Sequence, residues 1–156
     1  MTTMTIDIPK SIQVEHNEIH ATLVEATKAP GQVGRAATQL AAVLHPHFVR
    51  EEEIALPPLG VLAALVANDP IPDAVESEVL AMTDALRAEL PRMLQEHTHI
   101  RAAVGKLRDA ARAEQSTRFE KLAEQLALHA QTEEEVLYPA AVLVGDVIRA
   151  RRSGRA

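Results

Sequence analysis

The sequence of 156 residues contains no cysteine, and only three residues are aromatic, namely Phe48, Phe119 and Tyr138. Without cysteine the chain cannot form disulfides, thiolate zinc sites or iron–sulfur clusters, so any metal must bind histidine, carboxylate or water. Because aromatic residues make up 2% of the chain, the core must be built from leucine, valine, isoleucine and alanine. Leucine and alanine lose little freedom in a helix, so this composition favours helices.

Long apolar runs and a basic surface are also missing. The longest apolar stretch, LPPLGVLAALVA at 56–67, is too short to span a bilayer and contains two prolines. The first residues, MTTMTIDIPK, lack the basic and apolar segments of a signal peptide. The formal net charge of −6 argues against nucleic-acid binding. We therefore expect a cytoplasmic protein that binds neither membranes nor nucleic acids, with a flexible basic tail at 150–156.

Apolar residues recur at helical spacing, and no segment shows the sustained alternation of a strand. Proline should kink or break one helix at Pro46, end another at Pro91 and interrupt the last at Pro139. Thr117 and Glu120 have the spacing of a capping box, which we expect at the start of that last helix. The predicted helices span about 11–28, 32–56, 73–90, 91–113 and 117–138, with shorter pieces at 59–67 and 140–150.

Two sequence patterns each occur twice in the chain. HFVREEEIALP at 47–57 and HAQTEEEVLYP at 129–139 share a histidine, three glutamates and a final proline, with an offset of 82 residues. Glu-His-x-x-Ile occurs at 15–19 and again 81 residues later, at 96–100. The order and spacing indicate a duplicated helical hairpin. Two such hairpins packed face to face would be related by an approximate two-fold axis.

The predicted fold class is therefore all-α, an up-and-down antiparallel four-helix bundle with a pseudo-two-fold hairpin repeat and short extra helices. We expect one domain over 1–156, with a core at about 10–140 and an inserted helical segment at 58–90.

Six repeated histidines and glutamates have the spacing of a metal site. Residues four apart lie on one face of a helix, so each His-x-x-x-Glu unit can direct both side chains to one point. Four imidazoles and two carboxylates are too many ligands for one structural zinc, but they suit two iron ions with both carboxylates bridging. The predicted ligands are His16, His47, Glu51, His97, His129 and Glu133.

This ordered set resembles the hemerythrin-like, HHE cation-binding family over about residues 10–140. The resemblance implies a four-helix bundle around two non-haem iron ions, with an oxo, hydroxo or water bridge between them. It also implies that a small ligand such as O₂, NO or peroxide binds there. By the same resemblance, one iron would be shared by His16 and His47, the other by His97 and His129, with Glu51 and Glu133 as bridges.

The sequence departs from oxygen-carrying hemerythrins on the third helix. Arg101 stands where those proteins have a further histidine, whereas His20 follows His16 by four residues on the first helix. His20 is therefore a possible additional ligand, or else a partly exposed histidine. Metal-bound imidazoles usually donate their other N–H to a partner. We expect Glu15 and Glu96 to be such partners, each for a ligand on another helix.

The remaining candidate residues are assigned less specific roles. His99 is expected on the surface, because it lies two residues from His97 on the same helix. His45 is expected to be exposed or to support the site, and Tyr138 is expected to pack in the core.

Three functions fit this pattern. In the first, the protein is a di-iron protein that binds or senses O₂, NO or redox state. In the second, it is an enzyme that decomposes peroxide like a catalase or peroxidase. In the third reading the metal is structural and the bundle acts through a protein partner. A sensor without an output domain of its own would need a partner or a homo-oligomer.

Overall fold

The computed structural model describes residues 6–155, which form helices, short connections and no strands. The first five residues, where no signal peptide was expected, and residue 156 lie outside the described part of the chain. No described helix is long and apolar enough to cross a membrane. The elements are α1 (Lys10–Thr27), α2 (Gly31–Ile54), a 3₁₀ segment (Pro57–Val61), α3 (Leu62–Ala67), α4 (Asp73–Ala113), α5 (Thr117–Thr132), a π-helical turn (Glu133–Leu137) and α6 (Tyr138–Arg155).

The predicted four-helix bundle is confirmed. Its helices are α1, α2, the second half of α4, and α5 with the π-helical turn, and they bury leucine, valine, isoleucine and alanine side chains between them. On α1, for example, Ile19, Leu23 and Ala26 recur at helical spacing and are at most 3% exposed. This apolar stripe holds α1 in the bundle, because it can leave water only by packing against the other helices.

The prolines interrupt fewer helices than predicted. Helix α2 continues through Pro46, and α4 is one helix of 41 residues that contains Pro91, where two helices were expected. A proline leaves the carbonyl four residues earlier without its helical donor. Here those positions are Ala42 and Arg87, which are both exposed. Water can therefore satisfy the carbonyls, and the helices continue.

The C-terminal region also differs from the prediction. Pro139 does not interrupt the last helix, because the π-helical turn leads directly into α6. The expected capping box is absent, since Ser116 occupies the N-cap without a side-chain bond and Glu120 instead binds Arg112 at 2.6 Å.

The tail predicted to be flexible from residue 150 is helical as far as Arg155. Its arginines bind side chains of the first half of α4: Arg152 and Arg155 donate to the buried carboxylate of Glu76 at 2.8 and 2.9 Å. These contacts order the tail, and α6 packs along residues 73–90. Of the segment predicted as an insertion at 58–90, residues 73–90 extend the bundle helix α4 and α6 lies on them, whereas the rest forms the 3₁₀ segment, α3 and a connection.

Two hydrophobic clusters lie on either side of one polar layer. Apolar residues of α2 from Val33 to Phe48 belong to the first cluster, and Ile54 with Ala55 and Leu56 just after the helix belongs to the second, with His47 and Glu51 at the boundary. Helix α4 passes through the layers in the opposite order, with Met93 in the second cluster, His97 at the boundary and Ile100 in the first. The repeated histidines and glutamates therefore lie between two layers of hydrocarbon.

Close packing of α6 on α4 makes a prediction about Gly145. A β-carbon at this position would lie 2.2 Å from Thr83 Oγ1 and 2.8 Å from its Cβ. We expect Gly145→Ala to lower the free energy of unfolding by about 1–3 kcal/mol, since overpacking forces helices apart. Urea denaturation measures the change.

Gly105→Ala is the matched control, since its nearest neighbour is an arginine side-chain atom 3.9 Å away. It should be neutral or stabilise the helix by up to about 1 kcal/mol. Equal stability of the two variants would contradict the close contact between α4 and α6.

Candidate metal centre

Each bundle helix contributes to one buried cluster of histidine and glutamate. The six predicted ligands are all at most 5% exposed. The His-x-x-x-Glu spacing directs both side chains of a unit to the same point, as the short distance of 3.2 Å between His47 Nε2 and Glu51 Oε1 shows. The cluster consists of His16 on α1, His47 and Glu51 on α2, His97 on α4, His129 on α5 and Glu133 at the start of the π-helical turn.

Within the cluster, imidazole nitrogens approach each other in two pairs. Nε2 of His16 lies 3.0 Å from Nε2 of His129, and the corresponding distance between His47 and His97 is 2.9 Å. Glu133 extends one oxygen to each pair, with Oε2 3.4 Å from His129 Nε2 and Oε1 3.5 Å from His97 Nε2. Each pair with Glu133 forms a group of three donors close enough to hold one metal ion. The pairs differ from those implied by the resemblance, which joined His16 to His47 and His97 to His129.

Four further carboxylates surround the cluster, one near the outer nitrogen of each histidine. Every one comes from a different helix than the histidine that it faces, as predicted for Glu15 and Glu96. The Nδ1 contacts are His129 with Glu15, His47 with Glu96 at 2.7 Å, His97 with Glu134 at 2.9 Å and His16 with Glu52 at 3.5 Å. The pattern runs around all four helices, but Nδ1 of His16 lies near Glu52 without accepting or donating a hydrogen bond among the described residues.

The outer contacts of His47 and His97 determine where the protons of these two imidazoles lie. A neutral histidine has one N–H, and a carboxylate at Nδ1 keeps the proton on that nitrogen. Burial lowers the pKa of His16 to about 4 and also lowers the pKa of His47 and His97, which favours the neutral ring. The Nε2 atoms of His47 and His97 then face each other with lone pairs and no proton between them. Such an arrangement is favourable around a cation.

Unpaired carboxylate atoms support the same interpretation. Oε1 of Glu51 and Oε2 of Glu133 are buried and accept no hydrogen bond from any described residue. Burial raises the pKa of Glu51 well above its usual value. A buried polar atom without a partner carries a desolvation cost, and imidazole with carboxylate is a donor set that binds iron and zinc well. The residues of this cluster therefore fit a metal ion.

Comparison with known families agrees with this geometry. A family model described as the hemerythrin HHE cation-binding domain matches residues 8–141, most of the chain. The chain belongs to this family. Searches of curated proteins and of solved structures found no match to it. Membership of this family therefore agrees with both the four-helix bundle and a site that can bind cations.

One residue of this hemerythrin-like centre was assigned only to the core by sequence reasoning. Tyr138 is 1% exposed, and its hydroxyl donates to Glu51 Oε2 at 3.0 Å. The phenol oxygen of Tyr138 also lies 3.2 Å from His47 Nε2 and 3.1 Å from His97 Nε2. The sequence repeat could have indicated this contact, because Tyr138 and Leu56 occupy equivalent positions, each five residues after a glutamate of the cluster, and only Tyr138 is polar.

Three other histidines lie outside the cluster. His20, the possible additional ligand, is exposed, and its ring is 6.0 Å from that of His45 across the α1–α2 surface. A further helical turn from His16 carries it away from the polar layer, and neither donor group of the described residues includes it. His99 is exposed as predicted. Arg101, at the equivalent position to His20, donates to Glu134 at 2.8 Å and so holds the carboxylate that His97 contacts.

The outer carboxylates can be tested at Glu96, which contacts His47 and also pairs with Arg92 at 3.3 Å. We expect Glu96→Ala to weaken metal binding by about 10–100-fold, because the imidazole loses the partner that fixes its orientation and proton. Competition with a chelator measures the affinity.

The control is Glu53→Ala. Glu53 is also an acid that pairs with an arginine, Arg50 at 2.7 Å, but it does not contact a histidine of the cluster. Its replacement should leave the affinity within about two-fold of the wild type. Equal losses in both variants would show that charge alone, not orientation, explains the effect.

Proposed function

We propose that this protein is a non-haem di-iron protein that binds or senses a small redox-active ligand such as O₂, NO or peroxide. The observation that carries the proposal is that Glu133 extends one oxygen to each of two buried histidine pairs, 3.4 Å from His129 and 3.5 Å from His97. A carboxylate in this position can bridge two ions. The proposed ligands are His16, His47, Glu51, His97, His129 and Glu133.

The donor set is compatible with iron. Imidazole suits zinc, copper, iron and nickel, whereas the hard carboxylate oxygens of Glu51 and Glu133 exclude a site selective for a soft ion such as Cu(I). When bound, a pair of iron ions supplies redox chemistry and coordination positions for a small ligand. Cation-binding hemerythrin domains are the family to which the chain belongs, which supports the same choice.

The protein residues would control this chemistry in three ways. The outer carboxylates Glu96 and Glu134 hold the imidazoles of His47 and His97 in one orientation and keep their protons on Nδ1. The hydrocarbon layers on both sides limit the water that reaches the ions. A cavity of about 250 Å³ borders His129 of one histidine pair on the side of Glu15, and we propose that a small ligand approaches there. Its lining consists of Ile12, Glu15, Gln125, Leu128, His129, Thr132 and Leu137.

The ligand assignment can be tested with two pairs of neighbouring residues. His97→Ala should remove most of the iron, because it deletes a buried donor, whereas His99→Ala should retain it, since His99 is exposed. Glu133→Ala should likewise lose iron and Glu135→Ala should not, because Glu135 is exposed and contacts only Gln131 at 2.8 Å among the described hydrogen bonds. Iron per chain is measured after anaerobic loading and desalting. Similar iron contents within either pair would contradict the assignment.

Binding and turnover are separated by a second experiment. We expect the iron-loaded protein to bind NO or azide with a saturable change in its visible spectrum, because the cavity beside His129 has room for a small anion or a diatomic molecule. The same sample should consume peroxide no faster than an equal amount of free iron. Sustained peroxide consumption above that level, lost in Glu133→Ala and kept in Glu135→Ala, would instead establish the enzyme that decomposes peroxide.

A further inference from the structure

We propose that the phenol oxygen of Tyr138 is an additional ligand of the metal held by His47 and His97, so that the two metal positions are chemically different. This inference rests on the proposed di-iron function and adds a donor that the pattern of histidine and glutamate does not contain.

The first support is the position of the hydroxyl relative to the two imidazoles. Tyr138 Oη, His47 Nε2 and His97 Nε2 form a triangle with sides of 3.2, 3.1 and 2.9 Å. On an octahedral ion with bonds of about 2.1 Å, neighbouring donor atoms are about 3.0 Å apart. The three atoms therefore have the separations of one face of an octahedron. Glu51 Oε1, 3.2 Å from His47 Nε2, is placed as a further neighbour.

The second support is that hydrogen bonding explains only one of the three contacts of Tyr138. Its single proton is donated to Glu51 Oε2 at 3.0 Å. The outer carboxylates Glu96 and Glu134 keep the imidazole protons on Nδ1, so neither Nε2 atom has a proton to donate to the phenol oxygen. Three lone-pair atoms thus meet at one point. Coordination would remove this repulsion, with release of the phenol proton, as metal binding to protein donors generally does.

The third support is that the backbone places Tyr138 by a feature common to both halves of the repeat. The N–H of Tyr138 bonds to the carbonyl of Glu133, and the N–H of Leu56 bonds to the carbonyl of Glu51 at 2.9 Å, each five residues apart. This wide turn precedes a proline in both copies. It turns residue 138 towards the cluster, and at the equivalent position the first half has only hydrocarbon. The duplication therefore supplies one phenol and not two.

The two histidine pairs also differ in how open they are to a small ligand. Tyr138 covers the pair formed by His47 and His97, whereas the cavity of about 250 Å³ reaches His129 of the other pair. With a phenol on one ion, an external ligand binds the ion held by His16 and His129. The small ligand is therefore bound on the side of the centre formed by His16 and His129.

Resonance Raman spectroscopy of the ferric protein tests the inference directly, because Tyr138 is the single tyrosine in the sequence. We expect a visible charge-transfer band from phenolate to Fe(III), with tyrosinate ring modes enhanced in that band. Growth with ring-deuterated tyrosine should shift those modes. This measurement needs no variant, so it remains decisive if a substitution impairs folding.

Tyr138→Phe should abolish the band and the ring modes while keeping two iron ions per chain within error, and it should open a second azide-binding phase that the wild type lacks. Phe48→Leu is the control. Phe48 stacks on His16 at a ring distance of 4.2 Å but has no donor atom, so its replacement changes aromatic packing and keeps the band.

The possible outcomes are distinguishable. Wild-type protein with two iron ions per chain and no tyrosinate modes would overturn the inference and leave the di-iron function standing, with Tyr138 only a hydrogen-bond donor to Glu51. Protein that holds no iron after loading would overturn both. Tyrosinate modes that persist in Tyr138→Phe would arise from an impurity and would also overturn the inference.

Discussion

Six imidazole and carboxylate groups are buried together in one layer, and the rest of the bundle must supply the stability that keeps them there. The neutral rings of His47 and His97, with their Nε2 atoms 2.9 Å apart, and carboxylate oxygens without hydrogen bonds are unfavourable in hydrocarbon unless positive charge lies between them. The bundle accepts this layer because apolar clusters on both sides hold the helices together. Stability from hydrocarbon packing thus maintains a site that a cation would stabilise further.

Outer carboxylates join the site to the fold. A glutamate adjacent in sequence to one cluster residue contacts a histidine on another helix, as Glu96 does with His47 and Glu134 does with His97. A shift of one helix along its axis would therefore break two contacts, one made by its histidine and one by its glutamate. Arginines on the surface extend the network, since Arg92 and Arg101 bind these same carboxylates. The position of each ring is consequently fixed by more than one helix.

The two halves of the duplicated hairpin are no longer equivalent. Tyr138 faces the cluster where the first half has Leu56, and Arg101 binds Glu134 where the first half has the exposed His20. Each difference leaves the ligand spacing unchanged and alters what surrounds it. Departure from symmetry around a symmetric set of histidines and glutamates gives the two groups of donors different surroundings.

The sequence by itself determined the helical class, the duplicated hairpin and the set of histidines and glutamates, because the direction of side chains along one helix follows from its period. His47 and Glu51 must share a face whatever surrounds them. Spacing along the chain does not determine how helices lie against each other. Tertiary packing therefore decided which histidines pair, that Tyr138 enters the centre and that His20 does not. Packing and solvent also decided that α4 continues through Pro91, because an unpaired carbonyl on an exposed turn can bind water.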